Sequence, residues 1–257
     1  MRLKKIALTL CACLALSAFG ANTAQAEGTG WTIGSTEDQT TAGTLLPKGT
    51  HERVNCRKHS GSTLTFSSSV LGVPLSLRAE QIDCLEKAGS TNPATIDNTT
   101  SPNHSEGVLT FTEVTVETPT TCTVSGSAQS MGVDLTTNAL TDTVIMDPSN
   151  KVNGPTYDKF FPETTGGAFI EIEFTGASCP FANVKAPVKG TACGEAVSTS
   201  NTTTPTPTGT QQAVQTLTFG AAQQSTGGCA LTLGTAAATL SGAVDNSLAS
   251  GVAFGSD

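Results

Sequence analysis

The chain has 257 residues, a formal net charge of −8, 13% charged and 5% aromatic residues, and eight cysteines. So few Lys and Arg argue against nucleic acid or an anionic membrane surface as partner, because neutralising phosphate takes clustered cationic side chains. One Trp and one Tyr are too few for the two aromatic girdles of an outer-membrane barrel.

At the N-terminus, Arg2, Lys4 and Lys5 precede an uncharged apolar run from Ile6 to Phe19, and Ala24-Gln25-Ala26 supplies the small residues of a cleavage site. This predicts a secretory signal over 1–26 and a secreted protein, extracellular or at the cell surface, with the periplasm as a further address. A lipoprotein reading through Cys11 or Cys13 fits less well, since it would cut the apolar run in half and leave "LALSAFG" in the tether. No later stretch approaches the ~20 apolar residues of a membrane-spanning helix, so no direct membrane insertion is expected. Loss of the basic signal would leave an even more acidic chain.

Beyond 1–26 the cysteines are Cys56, Cys84, Cys122, Cys179, Cys193 and Cys229. Six is even, and exported chains keep disulfides that cytosolic ones rarely hold. Zinc sites favour short Cys-x2-Cys pairs and redox sites Cys-x-x-Cys, and neither spacing occurs here. Cys179 and Cys193, separated by "PFANVKAPVKGTA", are therefore expected to staple the fold rather than hold a metal or exchange electrons. The six cysteines allow fifteen pairings, and sequence does not choose among them. No cofactor or metal is expected.

The chain is rich in Thr and Gly and lacks long runs of helix formers, which favours pleated structure. Taken in order, "STLTFSSSV", "GVLTFTEVTV", "FIEIEF", "NVKAPVKG", "AVQTLTF" and "CALTLGTAAATLSGAV" alternate as strands, broken by Gly, Pro, Asn and Ser turns. Leu77 to Gly89 is ambiguous; a strand through Ile82 and Cys84 is preferred to a short helix ending at Gly89. "LTF" recurs at Leu64–Phe66, Leu109–Phe111 and Leu217–Phe219, but the spacings are unequal and support no solenoid. "TSNTTTPTPTGT", Thr199 to Thr210, reads as a long loop, because the roughly 47 residues after it would struggle to bury a core of their own. The expectation is one all-β domain over 27–257, a β-sandwich or closed antiparallel β-structure stapled by disulfides.

Candidate chemistry is sparse. Glu171 and Glu173 should share the face of a strand opposite Ile170, Ile172 and Phe174; such a pair could serve glycoside hydrolysis, yet it is also what any half-buried strand shows. "HERVNCRKH" brings His51, Cys56 and His59 within nine residues, at no zinc spacing and beside Arg53, Arg57 and Lys58. No Gly-x-Ser-x-Gly elbow occurs, and the sequons at Asn98, Asn103 and Asn201 are unremarkable in a chain so rich in hydroxyls. Tyr157, Phe160 and Phe161 gather in "GPTYDKFFPETTGG", a turn-rich stretch that either plugs the core or offers an apolar contact patch. From Ala213 to Phe254 the only charged residue is Asp245, so "CALTLGTAAATLSGAV" is either a central strand or an unguarded edge to which another protein chain could add a strand.

"GSTLTFSSSVLGVPLSL", then "GVLTFTEVTV" with "CTVSG" and "LTTNAL", then "KFFPETTGGAFIEIEFTGASC" and "VKGTACGEA", and finally "LTFG" and "LTLGTAAATLSG" together resemble a broad, mostly uncharacterised set of secreted bacterial β-proteins. The likeness runs from about Trp31 to the end and implies export and an all-β domain, with no activity attached. A fainter similarity is to the exported protein associated with activation of alkane oxidation. These readings lead to an exported extracellular or cell-surface structural or interaction protein without catalysis. The alternatives are a carrier of a small apolar ligand, marked by a pocket lined with alternate strand residues, and a secreted hydrolase using Glu171 or Glu173.

Overall fold

The computed structural model describes residues 30–34, 42–98, 104–125, 132–146, 155–197, 204–205, 211–212 and 214–256. The expected signal at 1–26 lies outside them, as do Asn103, Asn201 and most of the Thr/Pro stretch 199–210.

The strands are β1 (Trp31–Gly34), β2 (Ala42–Leu45), β3 (Glu52–Lys58), β4 (Leu64–Val70), β5 (Val73–Ala79), β6 (Gln81–Leu85), β7 (Ala94–Asp97), β8 (His104–Thr118), β9 (Thr123–Val124) and β10 (Val133–Thr136). They continue as β11 (Leu140–Met146), β12 (Thr156–Pro162), β13 (Ala168–Thr175), β14 (Lys185–Gly190), β15 (Ala192–Val197), β16 (Thr204–Pro205), β17 (Gln211–Gln212), β18 (Gln215–Phe219), β19 (Leu231–Leu233), β20 (Ala236–Leu248) and β21 (Phe254–Ser256). A single short helix among the described residues, α1 (Ala221–Thr226), sits between β18 and β19. The protein is all-β. The ambiguous stretch Leu77–Gly89 is strand, as β5 and β6, and ends in a turn.

Eight strands close on themselves. β3 pairs β7, β7 pairs β8, β8 pairs β11, β11 pairs β12, β12 pairs β15, β15 pairs β18, β18 pairs β20 and β20 returns to β3, every pair antiparallel. Closure removes edges over this part of the chain. Two ring strands, β8 and β20, are 15 and 13 residues long and run out of the ring into a second sheet of order β8-β5-β4-β20-β19-β14-β13-β9. β10 lies along β8 as well, and Asn138 brings β13 to its end: the Asn138 N–H donates to Phe169 O at 2.6 Å and its side-chain amide to Ala168 O at 2.8 Å.

Alternation builds the main core. Leu75, Leu77 and Ala79 on β5, Ile172 and Phe174 on β13, and Leu217 and Phe219 on β18 are buried in one cluster shared by ring and second sheet. Each such large side chain contributes roughly 1.5–3 kcal/mol of apolar burial. At one end of the ring, the small sheet β2-β1-β21 lays Trp31 and Leu46 on Val54, Ile96, Val144 and Leu248. Asn98 fixes this plug: its Oδ1 accepts from Trp31 N–H, and its Nδ2 donates to the carbonyls of Trp31 and Leu46. That sequon asparagine is thus a buried structural residue.

The six cysteines expected to form staples are all paired, as Cys56–Cys84, Cys122–Cys179 and Cys193–Cys229. Cys179 and Cys193 do not join each other. Cys179 ties the chain after β13 to the chain after β8, and Cys193 on β15 holds the segment that follows α1.

Candidate functional site

Two cavities, partly open to solvent, lie among the strands. The first, of about 110 Å³, lies within the main core. Its walls come from alternate positions on successive strands: Leu64 and Phe66 of β4, Leu77 and Ala79 of β5, Leu109 and Phe111 of β8, and Ile170 and Ile172 of β13. Strand residues two apart face the same side, so a run of such pairs makes an apolar lining without special sequence. Thr65, Arg78 and Thr137 reach this wall too; the Thr137 hydroxyl is engaged by the Leu109 N–H at 3.0 Å, and Arg78 pairs with Glu80 at 2.6 Å.

The second cavity, of about 60 Å³, is the interior of the eight-strand ring, since Val54, Ile96, Ser105, Leu140, Asp142, Asp158, Phe160, Leu217, Val244 and Asn246 line it from seven ring strands. Asp142 stands opposite Ser105 on β8 and opposite Phe160 on β12, and Asp158 stands opposite Val144. The two carboxyl groups are therefore diagonal neighbours across one antiparallel pair, a spacing of roughly 7–8 Å between backbones that side chains bridge. Burial pushes the Asp142 carboxyl up to about 7, with a hydrogen bond from Ser105 acting the other way. Burial, and next the charge of Asp142, holds Asp158 well above the usual carboxylate range. Asp142 Oδ1, Asp158 Oδ1, Asn246 Oδ1 and Gln215 Oε1 are all buried without a hydrogen-bond partner among the described residues.

The sites anticipated from sequence are dispersed. Glu171 is exposed, and Glu173 faces Lys185 Nζ at 3.6 Å on an accessible surface; neither lines either of these two cavities. His51 pairs with Asp97 at 3.3 Å, His59 with Asp245 at 2.7 Å, and Cys56 is in a disulfide, so the three do not converge on one point. No cluster of three or more His, Cys, Asp or Glu placed to hold a metal occurs among the described residues. Tyr157, Phe160 and Phe161 lie on a strand, β12, instead of a turn, and form no common patch. Tyr157 is buried against Cys193, Cys229 and Ile145, whereas Phe160 points into the ring against Phe219, ring centres 6.1 Å apart. Phe161 is half-buried on the face opposite Phe160.

Asp142, Asp158 and Asn246 escape the sequence reading. A signal exists nonetheless: in "ALTDTVIM" Asp142 occupies the same phase as Leu140 and Val144, and in "TYDKF" Asp158 is in phase with Phe160. An acid at an inward phase between apolar residues marks a buried carboxyl. Comparison with protein-family models, curated proteins and solved structures finds no match.

Proposed function

We propose that the protein is an exported, disulfide-stapled β-barrel protein that carries a small apolar ligand and performs no catalysis. The observation that carries this reading is the cavity of about 110 Å³ walled by alternate strand residues, Leu77, Phe111, Ile172 and Leu240 among them. An engineered apolar cavity of about 150 Å³ stays dry and takes up benzene, so this one suits a ligand of benzene size or smaller. Thr65, Arg78 and Thr137 also reach the wall; the Thr137 hydroxyl is spent on the backbone and the Arg78 guanidinium is paired with Glu80, so the apolar side chains that make up the rest of the lining select the ligand by shape and contact. Export is supported by the 1–26 pattern and by three disulfides.

The test is benzene uptake by the purified chain, read from methyl NMR shifts of Leu77, Ile172 and Leu240 and from the thermal midpoint. Saturating benzene should move those methyls and raise the midpoint, because a ligand that binds only the fold stabilises it. Val188→Phe, which fills the cavity from β14, should abolish both effects. Unmoved methyls and an unchanged midpoint at benzene saturation would remove the carrier reading.

A second reading, a surface structural or interaction protein that gains partners by strand addition, is favoured by β13. This strand pairs with β14 from Ala168 to Glu173, but with β9 only at Phe174 and Thr175 on its other edge. The uncharged C-terminal run is not such an edge: β20 takes β19 and β18 on one side and β4 and β3 on the other. Any added chain would dock beside Glu171, whose charge guards that edge.

A further inference from the structure

The interior of the ring poses an electrostatic problem. Asp142 and Asp158 are 7% and 2% exposed, and among the described residues no Lys, Arg or His lines the cavity they share. Buried carboxylates are tolerated when they are paired, protonated or bound to a metal, because an isolated ion loses far more hydration than a protein interior returns. Besides the Trp31 indole, the other polar side chains in the wall are Ser105, which donates to Asp142, and Asn246. Asn246, 7% exposed, approaches from β20, across the ring from β11 and β12, and its Oδ1 has no hydrogen-bond partner among the described residues. An eight-strand barrel is just wide enough for facing side chains to meet at its axis. Three side chains from three strands, each with a buried oxygen that finds no hydrogen-bond partner among the described residues, thus line a space of about 60 Å³.

We propose that Asp142, Asp158 and Asn246, completed by Ser105 and water, form a site for one hard divalent cation of the calcium type inside the barrel. The donor set fits that class. Oxygen ligands without thiolate or imidazole select calcium or magnesium over zinc or copper, and two carboxylates neutralise a double charge. Calcium is favoured over magnesium because it accepts six to eight oxygens in irregular geometry, whereas magnesium demands a near-octahedral shell. Room for one water takes only about 10–15 Å³, so waters can supply the remaining ligands. The ion would tie β11 and β12 to β20 through the barrel axis.

Trp31, the chain's one tryptophan, lines the same cavity and supplies an optical reporter. After exhaustive dialysis against a chelator, the purified chain is titrated with terbium, a luminescent stand-in for calcium, with excitation through Trp31. Calcium is titrated in parallel by calorimetry. One site per chain, sensitised terbium emission, its displacement by calcium and a calcium-raised thermal midpoint are expected. D142N and D158N, which keep the side-chain shape, should each weaken calcium at least tenfold, and Asn246→Leu, which leaves both acids, should weaken it severalfold. No saturable binding of either ion up to millimolar concentration would mean that the cavity holds only water, and the proposal falls. It falls equally if the folded variants bind like the parent. A variant that does not fold leaves the other two, and the parent titration, to decide.

Discussion

His59 Nδ1 lies 2.7 Å from Asp245 Oδ1, joining the bend between β3 and β4 to the middle of β20. Asp245 points away from the cavity that Val244 and Asn246 line, yet is only 2% exposed, and it also accepts from Thr216 Oγ1 at 2.9 Å. Arg57 Nε stands 3.9 Å from its other oxygen. Hydrogen bonds to a charged group contribute about 1.5–3 kcal/mol, and removing the acceptor strands its donors. Asp245→Ala should therefore cost about 2–3 kcal/mol in urea unfolding, while His59→Ala, at a half-exposed ring, should cost about 1 kcal/mol. Equal losses below about 0.5 kcal/mol would show that the cluster does not hold β20.

In chelator-treated protein, stability should fall as pH rises. Asp142 titrates near 7 in the fold against 3.8 when unperturbed, so between those values the folded state keeps a proton that the unfolded chain has released. A group with a raised folded pKa contributes fully below the unfolded value and loses that contribution as pH climbs to the folded one; the slope is about 1.4 kcal/mol per pH unit inside the window. Asp158 is raised too and acts in the same direction. Urea midpoints from pH 4 to pH 7 should decline, and Asp142→Asn should flatten the decline. A parent curve that rises or stays level across that window would refute it.

The strands that alternate cleanly were legible. In "FIEIEF" Ile172 and Phe174 are buried while Glu171 is exposed, and in "AVQTLTF" Gln215, Leu217 and Phe219 are buried with their neighbours half-covered. β12 was not. Tyr157 is covered on the outer side by the Cys193–Cys229 disulfide while Asp158 is enclosed on the inner side, so both faces are buried and the period of two disappears. Ring closure, disulfide pairing and the shared cavity lining of Asp142 and Asn246 join residues far apart in the chain, and no local pattern encodes them.

The disulfides should be worth several kcal/mol each. Cys122–Cys179 closes the longest loop, 57 residues, against 36 for Cys193–Cys229 and 28 for Cys56–Cys84. Loss of loop entropy in the unfolded chain predicts about 4 kcal/mol for loops of this size, with the longest slightly ahead. Replacing Cys122 and Cys179 together by Ala should lower the urea midpoint the most. Under denaturing, non-reducing conditions, a chain beginning after Ala26 should show no free thiol, and two or more would reopen the pairing.

Glu171 and Glu173 should be dispensable. Both face solvent, and the exposed Lys185–Glu173 pair is of a kind that contributes about 0–1 kcal/mol. Changing both to Gln should shift stability by no more than about 1 kcal/mol and leave benzene uptake untouched. A folded double variant that lost a hydrolytic activity measurable in the parent would restore the hydrolase reading.

Gly242 is the corner of the fold. "CALTLGTAAATLSGAV" reads as one strand-like run, yet it forms β19, a turn at Gly234 and Thr235, and then β20, which bends at Gly242. Before the bend, residues 236–241 pair with β19 and β4; from Gly242 onward they pair with β18 and β3. Gly242 has φ +126°, and an added Cβ would lie 2.5 Å from Thr63 O and 2.9 Å from Leu64 Cδ2. The bend is fixed by the His59 N–H to Ala243 O and by the Ala243 N–H to Ser62 Oγ, at 2.9 and 2.7 Å, so the backbone has little freedom to retreat. Gly242→Ala should therefore combine backbone strain with a backbone clash and cost about 2–4 kcal/mol. Gly251→Ala provides the control: its φ is +79°, but no atom of the described residues lies within 4 Å of the new Cβ, so strain alone should cost about 1 kcal/mol. If urea unfolding gives the same loss at both positions, close approach at the corner contributes nothing, and the passage of β20 from ring to second sheet does not depend on glycine's missing side chain.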